Sequence, residues 1–93
     1  MEDKITKQKL EKYFNLTNKA LSEVKKNIVK SEKSKADEII KMASAYLSDS
    51  RFFEKKGDLI NAFGSIYYAH GWIDCGVRLG VFDVKDDKLF TIR

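Results

Sequence analysis

Apolar residues in the first third of the chain recur at the spacing of an amphipathic helix. They follow one another three or four positions apart: Leu10, Phe14, Thr17, Leu21, Val24 and Ile28. This spacing places them on one side of a helix, and the chain contains no proline that would interrupt it. We therefore predict helix one over about residues 3–30.

A second stripe follows the polar stretch 31–33, which indicates a connection. Ser34 with Asp37 three positions later resembles a capping box and predicts the start of helix two. The stripe comprises Ala36, Ile39, Ala43, Tyr46, Ser50 and Phe53. Gly57 is suited to the left-handed conformation that ends a helix, so helix two is predicted over about residues 34–56.

The next helix starts at once, because Asp58 can cap its first amide groups. Two long helices joined by so short a turn form an antiparallel hairpin. Helix three is predicted over about residues 59–79, ending at Gly80. The structural turn residues of this prediction are thus Gly57, Asp58 and Gly80.

Helix three is apolar on more than one face. One face carries Ala62, Ile66, Ala69, Ile73 and Val77, and the aromatic side chains Tyr67, Tyr68 and Trp72 lie around the other side. Such a helix is typically central, and two neighbouring helices cannot cover all of it, which favours self-association. Four glycines, Gly64, Gly71, Gly76 and Gly80, would each cost about 1 kcal/mol relative to alanine within a helix, and we expect close helix approach to compensate.

The last segment, residues 81–93, has a different pattern: two apolar runs flank the polar stretch 85–88. This pattern indicates either a short hairpin or an extended tail packed on the helices, and we favour the packed tail. The predicted fold is all-α: a three-helix antiparallel bundle with a short extended C-terminal tail, as one domain over residues 1–93.

The composition supports one small folded domain. The chain has 93 residues, of which 43% are hydrophobic, which is too apolar for a disordered chain. No apolar run approaches the ~18 residues of a membrane span, and the acidic first residues do not resemble a secretory signal. We expect no membrane association and a cytoplasmic protein. A single cysteine excludes a disulfide framework within the chain and a four-cysteine zinc site.

The net charge of +4 is concentrated in the first third, where residues 1–33 hold nine lysines and five acidic residues. A solvated helix face is the simpler explanation. The alternative is that these lysines attract nucleic acid or an acidic partner.

No motif for catalysis is recognisable: there is no phosphate loop, dinucleotide fingerprint or zinc-hydrolase motif. His70 is the only histidine, and it lies one helical turn before Asp74. We interpret this pair as structural: Asp74 either orients the imidazole or accepts hydrogen bonds from a neighbouring helix. We expect no catalytic residue, metal or cofactor. Cys75 is predicted to be a small buried residue because no second histidine is available to activate it.

Seven residues are candidates for a ligand site or an interface: Tyr46, Asp49, Tyr67, Tyr68, His70, Trp72 and Asp74. Asp49 and Asp74 would form a polar site with Tyr46 and Tyr68 if they met across the hairpin; otherwise Asp49 is simply solvated. The aromatic rings of helix three could stack on nucleic-acid bases, but a core or oligomer-interface role fits their helical context better.

The segment from Ala45 to Asp83 resembles a known family. It carries Ala45-Tyr46-Leu47-Ser48-Asp49-Ser50, Phe53, Gly57-Asp58, Ala62-Phe63, Tyr68-Ala69-His70-Gly71, Asp74 and Arg78-Leu79-Gly80. These residues resemble the archaeal family called domain of unknown function 357, and the likeness extends to helix one and to Leu89-Phe90. The resemblance implies a small all-helical domain from an archaeal cytoplasm, and it implies no activity.

Two weaker resemblances concern the hairpin. Gly57-Asp58 followed by Ala62 and Ala69 resembles a single tetratricopeptide unit, although solenoids need about three units for stability. The hairpin is also similar to helical nucleotide-associated domains of prokaryotic toxin systems. Their catalytic arginine followed closely by histidine is absent here, because Arg51 lies far before His70 and Arg78 follows it.

Three hypotheses about function follow. The leading one is a non-enzymatic helical module for protein interaction or homo-oligomerisation, with a homodimer or another protein as its partner. The second is a nucleic-acid-associated protein that uses the lysine-rich helix one. The third is a small-ligand binder or enzyme, which requires Tyr46, Asp49, Tyr68, His70 and Asp74 to converge.

Overall fold

The computed structural model describes residues 4–90. Three helices follow one another, α1 (Lys7–Lys25), α2 (Lys33–Lys55) and α3 (Leu59–Arg78), with a short 3-10 helix at Lys30–Glu32. The described residues form no β-strand. The prediction of an all-α chain with three packed helices is therefore confirmed. None of these helices is both long enough and apolar enough to cross a membrane.

Helix α1 is shorter than predicted at both ends. Its N-cap is Thr6, whose side-chain oxygen accepts a hydrogen bond from the Lys9 backbone amide at 3.1 Å. It ends at Lys25, and residues 26–29 are not helical. Ile28 continues the apolar spacing of α1, but it pairs with Phe82 in an isolated antiparallel bridge instead of extending the helix. Tertiary pairing thus overrides the local periodicity at this end.

The predicted capping box at the start of α2 is absent. The N-cap position is Glu32 without a side-chain hydrogen bond, and α2 continues directly from the 3-10 helix. Asp37 instead accepts hydrogen bonds from the Lys33 ammonium group. The polar stretch 31–33, predicted as a connection, is therefore already helical.

The turn between α2 and α3 takes only residues 56–58. Gly57 has a φ of 76°, in the left-handed region that favours glycine. Asp58 is the N-cap of α3, and its carboxylate accepts hydrogen bonds from the backbone amide and the side chain of Asn61. These bonds hold the pKa of the Asp58 carboxyl below its usual range.

The core lies where the three helices meet. Helices α2 and α3 form the most extensive contact, and α1 packs mainly on α3. The buried apolar residues include Leu10, Ala20, Leu21, Val24, Ala36, Ile39, Ala43, Leu47, Ala62, Ile66, Ala69 and Ile73. Most of them belong to the stripes that the sequence predicts, so the periodicity identified the inward faces.

Helix α1 is also joined to α2 by one arginine. The Arg51 guanidinium makes two hydrogen bonds to Glu11, at 2.8 and 3.0 Å, and a third to Glu54 at 2.8 Å. It lies over the ring of Phe14 at 3.5 Å from the centroid. The hydrogen bonds from Arg51 lower the pKa of the Glu11 carboxyl.

The tail packs on the bundle, and its first residues pair with the link after α1. The Val29 amide donates to the Val81 carbonyl at 3.0 Å, and the Asp83 amide donates to the Asn27 carbonyl at 2.8 Å. Further buried residues of this segment are Phe82, Leu89 and Phe90. Gly80, with a φ of 77°, provides the turn between α3 and the tail. Residues 91–93 of the predicted tail lie outside the described residues.

Close approach explains one helix glycine and not the other two. A Cβ atom on Gly76 would lie 2.5 Å from Cε2 of Phe82 and 3.0 Å from Cδ1 of Ile39. A Cβ atom on Gly64 or on Gly71 would have no neighbour within 4 Å. Gly80 lies after α3 and has no such neighbour either, so of the four glycines only Gly76 has the close contact that was predicted for all of them.

Replacing Gly76 by alanine is expected to destabilise the fold by about 1–3 kcal/mol, since the Phe82 ring must shift. The matched control is Gly64→Ala, which meets open space and is expected to stabilise α3 by up to ~1 kcal/mol. Urea unfolding of both variants in dilute solution measures the two effects. Equal stabilities of the two variants would contradict the close packing of Phe82 on Gly76.

Candidate functional site

One surface of α3 is exposed and carries no charged residue before Arg78, the last residue of the helix. Between Leu59 and Val77, every exposed residue is uncharged: Ile60, Asn61, Gly64, Tyr67, Tyr68, Gly71 and Cys75. We call these seven residues the α3 face. The exposed positions of α1 and α2 include many lysines and acidic residues, so the α3 face differs sharply from them.

The two tyrosines of the α3 face are held by other rings. Tyr67 lies near Tyr13 of α1, with ring centroids 5.9 Å apart, and Tyr68 packs edge-on against Tyr46 of α2 at 4.5 Å. Tyr67 is nevertheless 57% exposed and Tyr68 55% exposed. The α3 face is thus flanked by α1 on one side and by α2 on the other, with its aromatic rings already oriented.

Cys75 lies on this face, and the prediction that it is buried is wrong. The buried positions around it are Ile73 and Gly76. Cys75 follows Gly71 by one helical turn, which places it with the exposed residues.

His70 has a structural role that joins three elements. Its Nε2 lies 2.7 Å from the carbonyl oxygen of Leu89 in the tail, and its Nδ1 lies 2.9 Å from the hydroxyl of Thr17 in α1. A carbonyl oxygen can only accept, so Nε2 donates the proton; in the neutral imidazole, Nδ1 then accepts from Thr17. Asp74 lies farther away, at 3.8 Å from Nε2. Thr17 and Leu89 therefore orient the imidazole by hydrogen bonds, whereas Asp74, for which this was the first predicted role, lies beyond hydrogen-bond distance of the ring.

The five residues of the predicted ligand site do not form one cluster. His70 and Asp74 line a groove of about 380 Å³ between α1, α3 and the tail. Tyr46 and Tyr68 line a separate groove of about 300 Å³ between α2 and α3. Asp49 is an exposed residue of α2.

Trp72 completes the set of predicted candidates. It is half-buried and packs against the core, and its ring lies edge-on to that of Tyr68 at 6.4 Å. Its Nε1 is buried and has no hydrogen-bond partner among the described residues. No group of three or more histidine, cysteine, aspartate or glutamate side chains in residues 4–90 is placed to hold a metal ion.

The comparison with protein families identifies the chain. The model of the family described as "Protein of unknown function (DUF357)" matches residues 12–82, which is most of the sequence. The chain belongs to the DUF357 family. The DUF357 match covers most of α1, all of α2 and α3, and Phe82 of the tail, so it includes the whole α3 face. No curated protein and no solved structure matches this chain.

Sequence reasoning missed part of this site. Tyr67 and Tyr68 were candidates, whereas Ile60, Asn61 and Cys75 were not. A signal was present, because the stretch 59–73 contains no aspartate, glutamate, lysine or arginine. The hydrogen bonds of His70 to Thr17 and Leu89 could not be predicted from a local pattern, since the three residues are far apart in sequence.

Proposed function

We propose that the protein is a non-enzymatic interaction module that binds a protein surface through the α3 face. The observation that carries the proposal is the absence of charge on this face, in a chain in which 34% of residues are charged. The face is continuous, because its residues from Ile60 to Cys75 follow one side of α3 over about 22 Å.

The energetics of the face favour binding. Each Å² of apolar surface that a partner removes from water contributes about 25 cal/mol of favourable binding free energy. Tyrosine is enriched among the residues that dominate binding energy at interfaces. The rings of Tyr67 and Tyr68 are held by Tyr13 and Tyr46, so less side-chain freedom is lost when a partner covers them.

The alternatives have less support. The only histidine uses both ring nitrogens in hydrogen bonds within the fold, which leaves it no evident task as a catalytic base. The α3 face has no cation for phosphate groups, so nucleic acid would have to bind elsewhere, through exposed lysines such as Lys12 and Lys19 of α1.

A substitution at Gly64 tests the proposal without removing any contact of the fold. Gly64→Lys adds a long charged side chain at the centre of the α3 face, where a Cβ atom meets open space. The matched control is Ser48→Lys, at an exposed position of α2 away from the face. Each tagged variant is used to recover proteins from a native extract at mild salt, followed by mass spectrometry.

We expect the unmodified chain and Ser48→Lys to recover the same protein in similar amounts. Gly64→Lys should recover at least about tenfold less of it, which corresponds to a loss of about 1.4 kcal/mol in binding. Identical recovery by all three baits would show that the α3 face does not bind a protein.

A further inference from the structure

We infer that the partner of the α3 face is a second copy of this chain, packed antiparallel on the first. The inference rests on the proposed function and names the occupant of its site. Three features of the α3 face support it: the order of its residues, the open space at its glycines and the distribution of charge.

The residues of α3 are arranged almost symmetrically about the midpoint between Tyr67 and Tyr68. At equal distances from it lie Gly64 and Gly71, then Ile60 and Cys75, which are exposed at both ends. In a two-fold symmetric contact, a residue on one side of the axis faces its counterpart of the second copy on the other side. An antiparallel pair of α3 helices therefore matches glycine with glycine and tyrosine with tyrosine.

The antiparallel contact would explain why Gly64 and Gly71 are glycines. Glycine is unfavourable inside a helix, and neither Gly64 nor Gly71 has a neighbour within its own chain that a Cβ atom would touch. In the antiparallel pair, Gly64 of one copy faces Gly71 of the other, so the two backbones can approach closely. The notches at the glycines also leave room for the tyrosine rings of the opposing copy.

The charge distribution favours a second copy over a charged partner. Each chain carries a net charge of +4, so two copies repel each other wherever their lysines meet. When two copies meet through the α3 face, its seven residues bring no like charges together. An acidic partner would lose the hydration of its carboxylates along this face, where the one bordering cation is Arg78 at the C-terminal end of α3.

The size of the face sets the expected strength. A standard interface buries about 800 Å² on each partner, and the whole chain exposes 6376 Å². A strip about 22 Å long and one helix wide has an area below that standard size, so we expect a weak, reversible dimer.

Sedimentation over a wide concentration range tests the assembly. We expect the unmodified chain and Ser48→Lys to dimerise, and Gly64→Lys to dimerise at least about tenfold more weakly. Gly64→Lys should unfold at the same or a higher temperature in dilute solution, because lysine is a better helix former than glycine. Added salt should leave dimerisation unchanged or strengthen it, whereas a contact built on opposite charges would weaken.

The single cysteine tests the orientation. In the antiparallel pair the two copies of Cys75 are about 22 Å apart along the helices, whereas Ile60 of one copy lies near Cys75 of the other. A short bismaleimide reagent should therefore cross-link Ile60→Cys efficiently. It should leave the unmodified chain and the double variant Ile60→Cys with Cys75→Ser largely uncross-linked.

Each other outcome has a definite meaning. Efficient cross-linking of the unmodified chain through Cys75 alone would overturn the antiparallel register. A monomer at all concentrations would overturn the second copy as occupant. In that case, loss of a different protein from the Gly64→Lys bait would still support the proposed function, so the two failures are distinguishable.

Discussion

Replacing Phe82 by alanine is expected to lower the free energy of unfolding by about 3–5 kcal/mol. The Phe82 side chain is 2% exposed, and its ring lies over Gly76 and near Ile39. Phe82 also forms the bridge with Ile28, so the loss reaches the link after α1. A chain of this length has a total stability of about 5–14 kcal/mol, and the variant loses a large part of it.

Two further variants make this result interpretable. Phe82→Leu keeps most of the apolar volume and should lose less than about 1.5 kcal/mol, which remains measurable if Phe82→Ala does not fold. Val84→Ala removes a half-buried side chain from the same segment and should lose less than Phe82→Ala. If urea unfolding gives Phe82→Ala and Val84→Ala the same free energy of unfolding, the Phe82 side chain is not part of the core.

The second large effect is expected at His70. Replacing it by leucine removes both the donor to the Leu89 carbonyl and the acceptor for the Thr17 hydroxyl. Thr17 is 2% exposed, so its hydroxyl is left buried without this partner. Together, the two lost hydrogen bonds are expected to lower the free energy of unfolding by about 2–4 kcal/mol. Chemical denaturation measures this difference.

A double-mutant cycle with Thr17→Val separates this cause from a change in packing. Valine has no hydroxyl to leave unsatisfied, so His70→Leu should cost less in the Thr17→Val background than in the unmodified chain. A cost that is equal in both backgrounds would mean that the Thr17–His70 hydrogen bond contributes nothing to stability.

Much of the architecture followed from local patterns. The inward faces of α1, α2 and α3 are set by apolar spacing, because a helix repeats every 3.6 residues whatever its neighbours are. Gly57 and Asp58 also act locally, through backbone conformation and a hydrogen bond to a residue three positions away. Predictions failed where contacts with a distant segment compete with local helix formation. Ile28 continues the apolar stripe of α1, but it pairs with Phe82.

The candidate site was predictable only in part. Tyr67 and Tyr68 were identified as candidates because two neighbouring helices cannot cover every apolar side chain of helix three. Cys75 was misplaced because burial depends on which arc of α3 is covered by α1 and α2, and spacing alone does not define that arc. The ligand-site hypothesis grouped His70 with Tyr46, and the structure has them in different grooves.

Local sequence patterns were enough to predict that this chain is helical, where its hairpin turns, and that α3 is rich in uncharged residues. These properties depend on contacts within a few positions along the chain. The packing of the helices and the tail was needed to show which face of α3 stays exposed, which glycine lacks space for a Cβ atom, and what His70 binds. Those properties depend on side chains brought together from separate elements, and no periodicity along one element records them.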